Sequence, residues 1–432
     1  MSSVRFEPAG SLNGRLEVPA DKSITHRGLL FGAFADGVSR IVGGLDAADT
    51  RSSLAAIEGL GAGIVTHESS RGLDVEITGV GLEGASSCSI DVGNSGTLIR
   101  LLSGLLAGQP DGDWMLAGDS SIAARPMGRV VDPLISLGAE IETADGGFPP
   151  ITIHGSDLSG GRCELPVASA QAKSALLLAG LNASAPVEVV EPAPTRDHTE
   201  LLLARCGVEL VRDGLTTTVI PAERLEPLDL EVPGDISSAA FALTGALLLP
   251  GSEITIGSVG LNPTRTGLLE IFDLMGASSA VERSAPTDTV GEPTGDLTVG
   301  SADLQSTEIG GDLIPRAIDE LPLVALLGCF ADGETVVSGA EELRVKESDR
   351  IEGVVTGLSG LGADIQATED GFRVRGGGGL VGGEIDSRGD HRLAMLGAIA
   401  GLVSREGVDV HGFEAVEVSY PDFESDLRSL IA

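Results

Sequence analysis

Lysine is nearly missing from this chain: of 28 basic residues only Lys22, Lys173 and Lys346 are lysines, and the other 25 are arginines. Aromatic residues are scarce as well, at 3% with one Trp and one Tyr, so a core has to be built from Leu, Val, Ile and Ala. The four cysteines, Cys88, Cys163, Cys206 and Cys329, are widely spaced with no Cys-x-x-Cys pair. That excludes a disulfide framework and a zinc-thiolate signature, and it points to a reducing cytosol. The six histidines lack metal-ligand spacing, so no metal site is expected. No apolar run reaches the roughly 18 residues that a membrane helix needs, and residues 1–19 lack a basic start followed by an apolar stretch. Neither an anchor nor a targeting segment is expected. Basic charge is short overall: 64 acidic residues against 28 basic leave a net charge of −36 and a pI near 4.3. This argues against nucleic acid or an anionic membrane as a partner. A Gly-x-x-x-x-Gly-Lys-Ser/Thr loop is also missing, which removes the commonest nucleotide site.

What the chain does have is apolar mass and glycine. It is 42% hydrophobic with a mean hydropathy of +0.22, so the acidic charge must coat a packed globule, a shell suited to high salt. At 432 residues it exceeds what one core usually serves, and two domains are expected. A small-residue apolar segment with a central glycine recurs around Gly32, Gly104, Gly180, Gly245, Gly328 and Gly397, at spacings of 65 to 83 residues. Being apolar nearly all round, each reads as a buried helix whose glycine lets neighbouring backbones approach. A more amphipathic helix follows in step, closed by Gly61, Gly138, Gly207, Gly276 or Gly362 as natural C-terminal caps. Short β-like runs such as LDVEITG, PPITIHG, DLTVG and FRVRGG come after several of them. One repeat is therefore two helices plus short strands. Six repeats give two domains of three, with a break near Pro233-Gly234-Asp235.

The buried helices have unusually polar leads: DKSITHR at 21–27, GNSGTLIR at 93–100, SAQAKS at 169–174, GDISS at 234–238, IPRAIDELP at 314–322 and RGDHR at 388–392. Ser, Asp, Asn and Gly are ordinary helix caps. Capping does not account for Lys22, Arg27, Arg100, Lys173, Arg316 and Arg392, because the helix dipole disfavours cations at an N-terminus. A cation there makes sense beside an anionic ligand bound by the free N–H groups. RPMGR at 125–129 and LRVKESDRI at 343–351 add further basic charge. The expected ligand is a small polyanion. His391, between Asp390 and Arg392, is the histidine best placed to join such a site.

In these segments, taken in order, the chain resembles the 5-enolpyruvylshikimate-3-phosphate synthase family: DKSITHR, GNSGTLIR, RPMGRVVDPL, SAQAKSALLLAGL, IPRAIDELP, RVKESDR and DHRLAM, spread over essentially the whole length. The resemblance implies an α/β fold of two inverted, barrel-like domains, each made of three βαβαββ repeats around buried helices and closing over the substrates. Residues 21–235 would form the N-terminal enolpyruvyl transferase domain, and residues 1–20 with 236–432 the C-terminal one. The implied reaction moves the enolpyruvyl group of phosphoenolpyruvate onto the 5-hydroxyl of shikimate 3-phosphate and releases phosphate through a tetrahedral intermediate. No cofactor, metal or macromolecular partner is implied, and the chain is expected to act as a cytoplasmic monomer.

By the same resemblance Lys22, Ser23, Arg27, Ser169, Gln171, Asp319 and Lys346 contact shikimate 3-phosphate, with Thr195 and Arg196 on its phosphate. Lys22, Gly96, Arg125, Gln171, Arg350 and Arg392 hold phosphoenolpyruvate, with Asn94 close by. The chemistry requires a base for the attacking hydroxyl, for which Asp319 is the candidate, and an acid for the C3 methylene, for which Glu347 or Lys346 is the candidate. Lys22 and the arginines stabilise the departing phosphate. Ala170, Thr195, Leu101 and Glu342 depart from the commoner pattern, and Val418 aligns where many members carry a lysine. The related UDP-N-acetylglucosamine enolpyruvyl transferases expect Lys-Asn at the first helix and a reactive Cys at about residue 120, whereas this chain has Lys22-Ser23 and GDSSIAARP. A non-catalytic anion-binding protein on this scaffold is the other alternative, and the presence of Asp319, Lys22 and Glu347 weighs against it.

Overall fold

The six glycine-centred segments fold as helices α1 (Lys22–Phe34), α2 (Gly96–Ala107), α3 (Ala170–Ala179), α4 (Ile236–Leu248), α5 (Leu321–Phe330) and α6 (His391–Val403). Leu, Ala and Gly on every face leave no polar stripe to turn to water, so each helix is buried along almost its whole length. The computed structural model describes every residue except 1, 2, 68, 70, 71, 279, 280 and 284–290. It divides into two compact units, Ala20–Val232, and Met1–Pro19 with Pro233–Ala432. Each unit has its own apolar core around three of the buried helices.

Among the described residues there are six small mixed sheets, three in each unit. The repeat is plainest around α2. Strand Cys88–Asp91 leads into α2, and strand Asp113–Ala117 returns parallel to it with Cys88 opposite Trp114. Helix Gly128–Ser136 follows, and the antiparallel strands Glu140–Ala144 and Phe148–His154 close the sheet. Strand Asp113–Ala117 alternates exposed and buried residues, as a strand with one face on a core must. The same βαβαββ order recurs around α3 and α5.

Three sheets borrow a strand from far along the chain. Asp229–Glu231, at the end of its unit, opens the first repeat by pairing parallel with Val38–Gly44. In the other unit Asn13–Leu16 pairs parallel with Glu253–Gly260. Ser3–Phe6 completes the last, three-stranded sheet against Val408–His411. The N-terminal residues thus belong with the C-terminal half because their hydrogen bonds are made there.

The five closing glycines lie one residue beyond the C-cap of their helices with φ between +83° and +104°. A side chain is strained in that left-handed region, and glycine is not. The central glycines differ from expectation. Only Gly104 lets a neighbouring helix backbone approach, because a Cβ there would collide with the carbonyl oxygen of Ala175 in α3. At Gly32, Gly180, Gly328 and Gly397 the space is filled by side chains of the sheet beneath, such as Ile77, Val219, Val374 and Val410.

Gly104→Ala should therefore cost about 3 kcal/mol or more in urea unfolding, because backbone rather than a side chain has to move. Gly360→Ala, at an exposed helix end with open space around it, should be neutral or slightly stabilising. Equal stability of the two variants would show that the α2–α3 approach is not tight.

Candidate functional site

In the Ala20–Val232 unit, three helix starts carry the candidate residues. Asp21 caps α1 by accepting from Ile24 N, Ser95 caps α2 by accepting from Leu98 N, and Ser169 caps α3 by accepting from Ala172 N. These caps leave part of each first turn's N–H groups for a ligand. Lys22, the first residue of α1, pairs with Asp49 at 3.0 Å, and Asp49 is buried in the first turn of helix Ala48–Gly59. Ser23 gives its carbonyl to Arg27 Nη1. Arg27 is buried and crosses to α3 and beyond, donating to Ser174 Oγ at 2.9 Å and Thr199 Oγ at 2.7 Å.

Gln171 is gripped from both sides: its Oε1 accepts from Arg100 Nη1 at 2.7 Å, and its Nε2 donates to Thr97 Oγ at 2.9 Å. Gly96 opens α2 beneath two guanidinium groups, since a Cβ at Gly96 would lie 2.6 Å from Arg125 Nη1 and 2.9 Å from Arg100 Nη1. Arg125 is buried and donates to Ser121. Asn94 donates to Asp119 at 2.9 Å. Thr195 donates to Glu191, and Arg196 follows it on the loop between strand Val187–Val190 and helix His198–Arg205. Arg27 of α1 is thus tied to α3, Gln171 of α3 is tied to α2, and Arg125 lies over Gly96.

The other unit gathers Asp319, Lys346, Glu347, Arg350 and Arg392. Arg350, the first residue of helix Arg350–Gly360, is 1% exposed and enclosed by three carboxylates. It meets Asp390 Oδ2 at 2.8 Å, Asp319 Oδ1 at 3.1 Å and Glu347 Oε2 at 2.5 Å. Burial works against this charge, but Asp390, Glu347 and Asp319 outweigh it and hold the guanidinium above its ordinary pKa. Burial likewise opposes the charge on Asp390, and Arg350 keeps its carboxyl below the usual range. Lys346 stands 3.8 Å from Asp319 Oδ1. Arg392 donates to the carbonyl of Asp319 at 3.1 Å and pairs with Glu320 at 3.7 Å. Glu320 accepts from Ser237, and Arg265 joins Ser237 to Asp235 at the start of α4.

Several expectations change. The cations at helix starts do not wait for a ligand to be balanced: Lys22 has Asp49, and Lys173 has Glu191 and Glu200. Arg316 lies on the short helix Leu313–Ala317 and is held by both oxygens of Glu270, so the fifth lead is itself partly helical. Arg344 is committed to Asp349 and to the carbonyls of Thr368 and Glu369. Asp49, Glu191, Glu320 and Asp390 were not singled out by sequence, where they are four of 64 acidic residues. Only the position of Asp390 before a helix gave a signal. Val418 ends the short helical turn Phe413–Val418, and nearby Tyr420 is buried with its hydroxyl on Asp426 at 2.9 Å.

Residues 6–427 match the family model described as EPSP synthase (3-phosphoshikimate 1-carboxyvinyltransferase). The 3-phosphoshikimate 1-carboxyvinyltransferase of Bacillus velezensis is 46% identical over 431 residues, covering 99% of each chain. That of Geobacillus kaustophilus is 48% identical over 426 residues, covering 98% of each. A solved structure of EPSP synthase from Acinetobacter baumannii has a TM-score of 0.86 at 39% identity, covering 100% of this chain and 98% of that one.

His26 yields a test of how the helix starts are held. It is fully buried between Ser53, 2.7 Å from Nδ1, and Ser95, 3.4 Å from Nε2. Burial lowers its pKa from 6.5 to about 4. The folded state therefore binds the proton less well than the unfolded chain. Stability present above pH 6.5 is lost as pH falls towards 4, by an amount on the order of 3 kcal/mol. Between those pH values the urea midpoint of His26→Gln should fall less than that of the parent; parallel curves would remove His26 from the acid response.

Proposed function

The chain belongs to the EPSP synthase family and is a 3-phosphoshikimate 1-carboxyvinyltransferase (EC 2.5.1.19) of the shikimate pathway, with shikimate 3-phosphate and phosphoenolpyruvate as its substrates; from that premise we propose how its residues divide the reaction. The observation that carries the reading is the fan of Asp319, Glu347 and Asp390 around the buried Arg350, with Lys346 and Arg392 beside it.

Asp319, facing Arg350 and Lys346, is favoured as a carboxylate, the form that accepts a proton from the 5-hydroxyl of shikimate 3-phosphate. The hydroxyl oxygen bonds to C2 of phosphoenolpyruvate while Lys346 gives a proton to C3. Glu347, against the Arg350 guanidinium, is also favoured ionised, and this suits it to take a proton from C3 when the C2–O bond to phosphate breaks. The departing phosphate takes the proton held by Asp319 and the proton on Glu347 returns to Lys346, so that all three groups end as they began. Arg125 and Arg100 above Gly96, together with Lys22 and Arg392, stabilise the phosphoenolpyruvate charge. Arg27, Ser169, Gln171 and Ser23 hold shikimate 3-phosphate, with its phosphate on the loop bearing Thr195 and Arg196. The two units are the inverted βαβαββ domains of this family. We read the protein as a monomer, and the four free cysteines suit a reducing cytoplasm.

Phosphate release should depend strictly on both substrates; turnover with UDP-N-acetylglucosamine in place of shikimate 3-phosphate would overturn the acceptor. Asp319→Asn should lower kcat by about 10²- to 10⁴-fold with substrate binding retained. Rapid quench of Glu347→Gln should show the tetrahedral adduct accumulating. In deuterium oxide, Lys346→Met should lose label incorporation at C3, and if Glu347→Gln loses it instead, the two roles are exchanged.

A further inference from the structure

Lys173 is the lysine to which the proposed chemistry gives no part. It is the fourth residue of α3 and none of it is exposed, although the helix around it is Ala, Ser and Leu. Burying an ammonium costs several kcal/mol unless partners answer it on the spot. Here its Nζ donates to Glu191 Oε2 at 3.0 Å and pairs with Glu200 Oε1 at 2.7 Å. Glu191 is 3% exposed and heads the 191–197 loop, and Glu200 lies in the first turn of helix His198–Arg205. Two carboxylates against one ammonium leave a negative charge, and the buried Arg27 lies close by. Its guanidinium reaches Ser174 and Thr199, the sequence neighbours of Lys173 and Glu200, and those two hydroxyls lie 2.7 Å apart.

The second oxygen of Glu191 accepts the hydroxyl of Thr195. A threonine hydroxyl has one proton to donate, and this one is committed inward. Towards a phosphate dianion the Thr195 oxygen then presents only lone pairs. We propose that Lys173, acting through Glu191, is a positioning residue for the phosphate end of shikimate 3-phosphate. The ion pair clamps Thr195 by its hydroxyl, and this fixes the 191–197 loop so that Arg196 and main-chain N–H groups, not the Thr195 hydroxyl, are the phosphate donors. Lysine suits the place because a compact ammonium on a flexible stem can send diverging bonds to two carboxylates from within the helix packing. That accounts for one of the three lysines in a chain that otherwise uses arginine.

The inference rests on assigning Thr195 and Arg196 to that phosphate, and steady-state kinetics on the full chain separates the two claims. Glu191→Gln keeps the shape and leaves Lys173 paired with Glu200, whereas Lys173→Met leaves two buried carboxylates and risks misfolding. Thr195→Val removes the hydroxyl at nearly constant volume. Each of Glu191→Gln and Thr195→Val should raise KM for shikimate 3-phosphate about tenfold, with KM for phosphoenolpyruvate and kcat within about twofold. The double variant should be no worse than the worse single, because both break one link. With unphosphorylated shikimate as the acceptor, kcat/KM should be the same in parent and Glu191→Gln. Multiplicative effects, or a shift of both KM values and kcat together, would overturn the relay. If Arg196→Ala raises KM for shikimate 3-phosphate while Glu191→Gln is silent, the relay alone fails. If Arg196→Ala is silent too, the phosphate assignment falls and this inference with it.

Discussion

A helix that is apolar on every side must be buried, and only its first turn is left to carry polar function. That constraint organises this chain. α1 to α6 are enclosed nearly to their ends, so caps, cations and carboxylates are concentrated in the residues just before and just inside each start. The sheets serve the same need, since their inner faces supply the side chains that cover the helices, and the central glycines let those side chains come close. Repeating the unit repeats the arrangement, and each compact unit collects three such starts.

The two units solve their interior charge problem with opposite polarity. In Ala20–Val232 the buried helix carries the cation and the second helix of the same repeat the acid, as in Lys22 with Asp49 and Lys173 with Glu200. In the other unit the acid sits at the start of the buried helix and the cation at the second helix, as in Asp235 with Arg265 and Asp319 with Arg350. The first pattern answers the cation from within and leaves N–H groups of the helix starts to meet anions. The second presents a carboxylate held ready by its guanidinium, which suits proton transfer. In neither unit are these interior ions left unmatched, because an unpaired buried charge costs more than the fold can bear. The −36 net charge is thus a property of the surface, and the site is a locally balanced interior.

Much of this was legible along the chain. The six apolar segments, the five glycine-closed helices and the polar leads all depend on residues within a turn or two of one another, so their spacing alone reveals them. Lys22, Arg27, Lys346 and Arg350 stood out as cations in polar or ionic segments, whereas Gly96, Gln171 and Asp319 came only from the family resemblance. The borrowed strands 13–16 and 229–231 did not, since their parallel partners lie far along the chain and a four-residue strand has no signature of its own. Lys173 read as a ligand cation for a related reason: a helix start with a lysine looks the same whether the counter-charge is a substrate or a glutamate 18 residues later.

The six buried helices, the five glycine-closed ones and the residue types at their starts can be read along the chain because backbone periodicity and capping are local, although the short helix Leu313–Ala317 within the fifth lead cannot. Only the tertiary structure decided which carboxylate answers which cation. Asp49 was matched to Lys22, Glu191 to Lys173 and Asp390 to Arg350, out of 64 candidates that composition does not distinguish. The physical reason is distance. A hydrogen bond or ion pair exists only within about 3 to 4 Å, and that spacing is set by the packing of helices onto sheets.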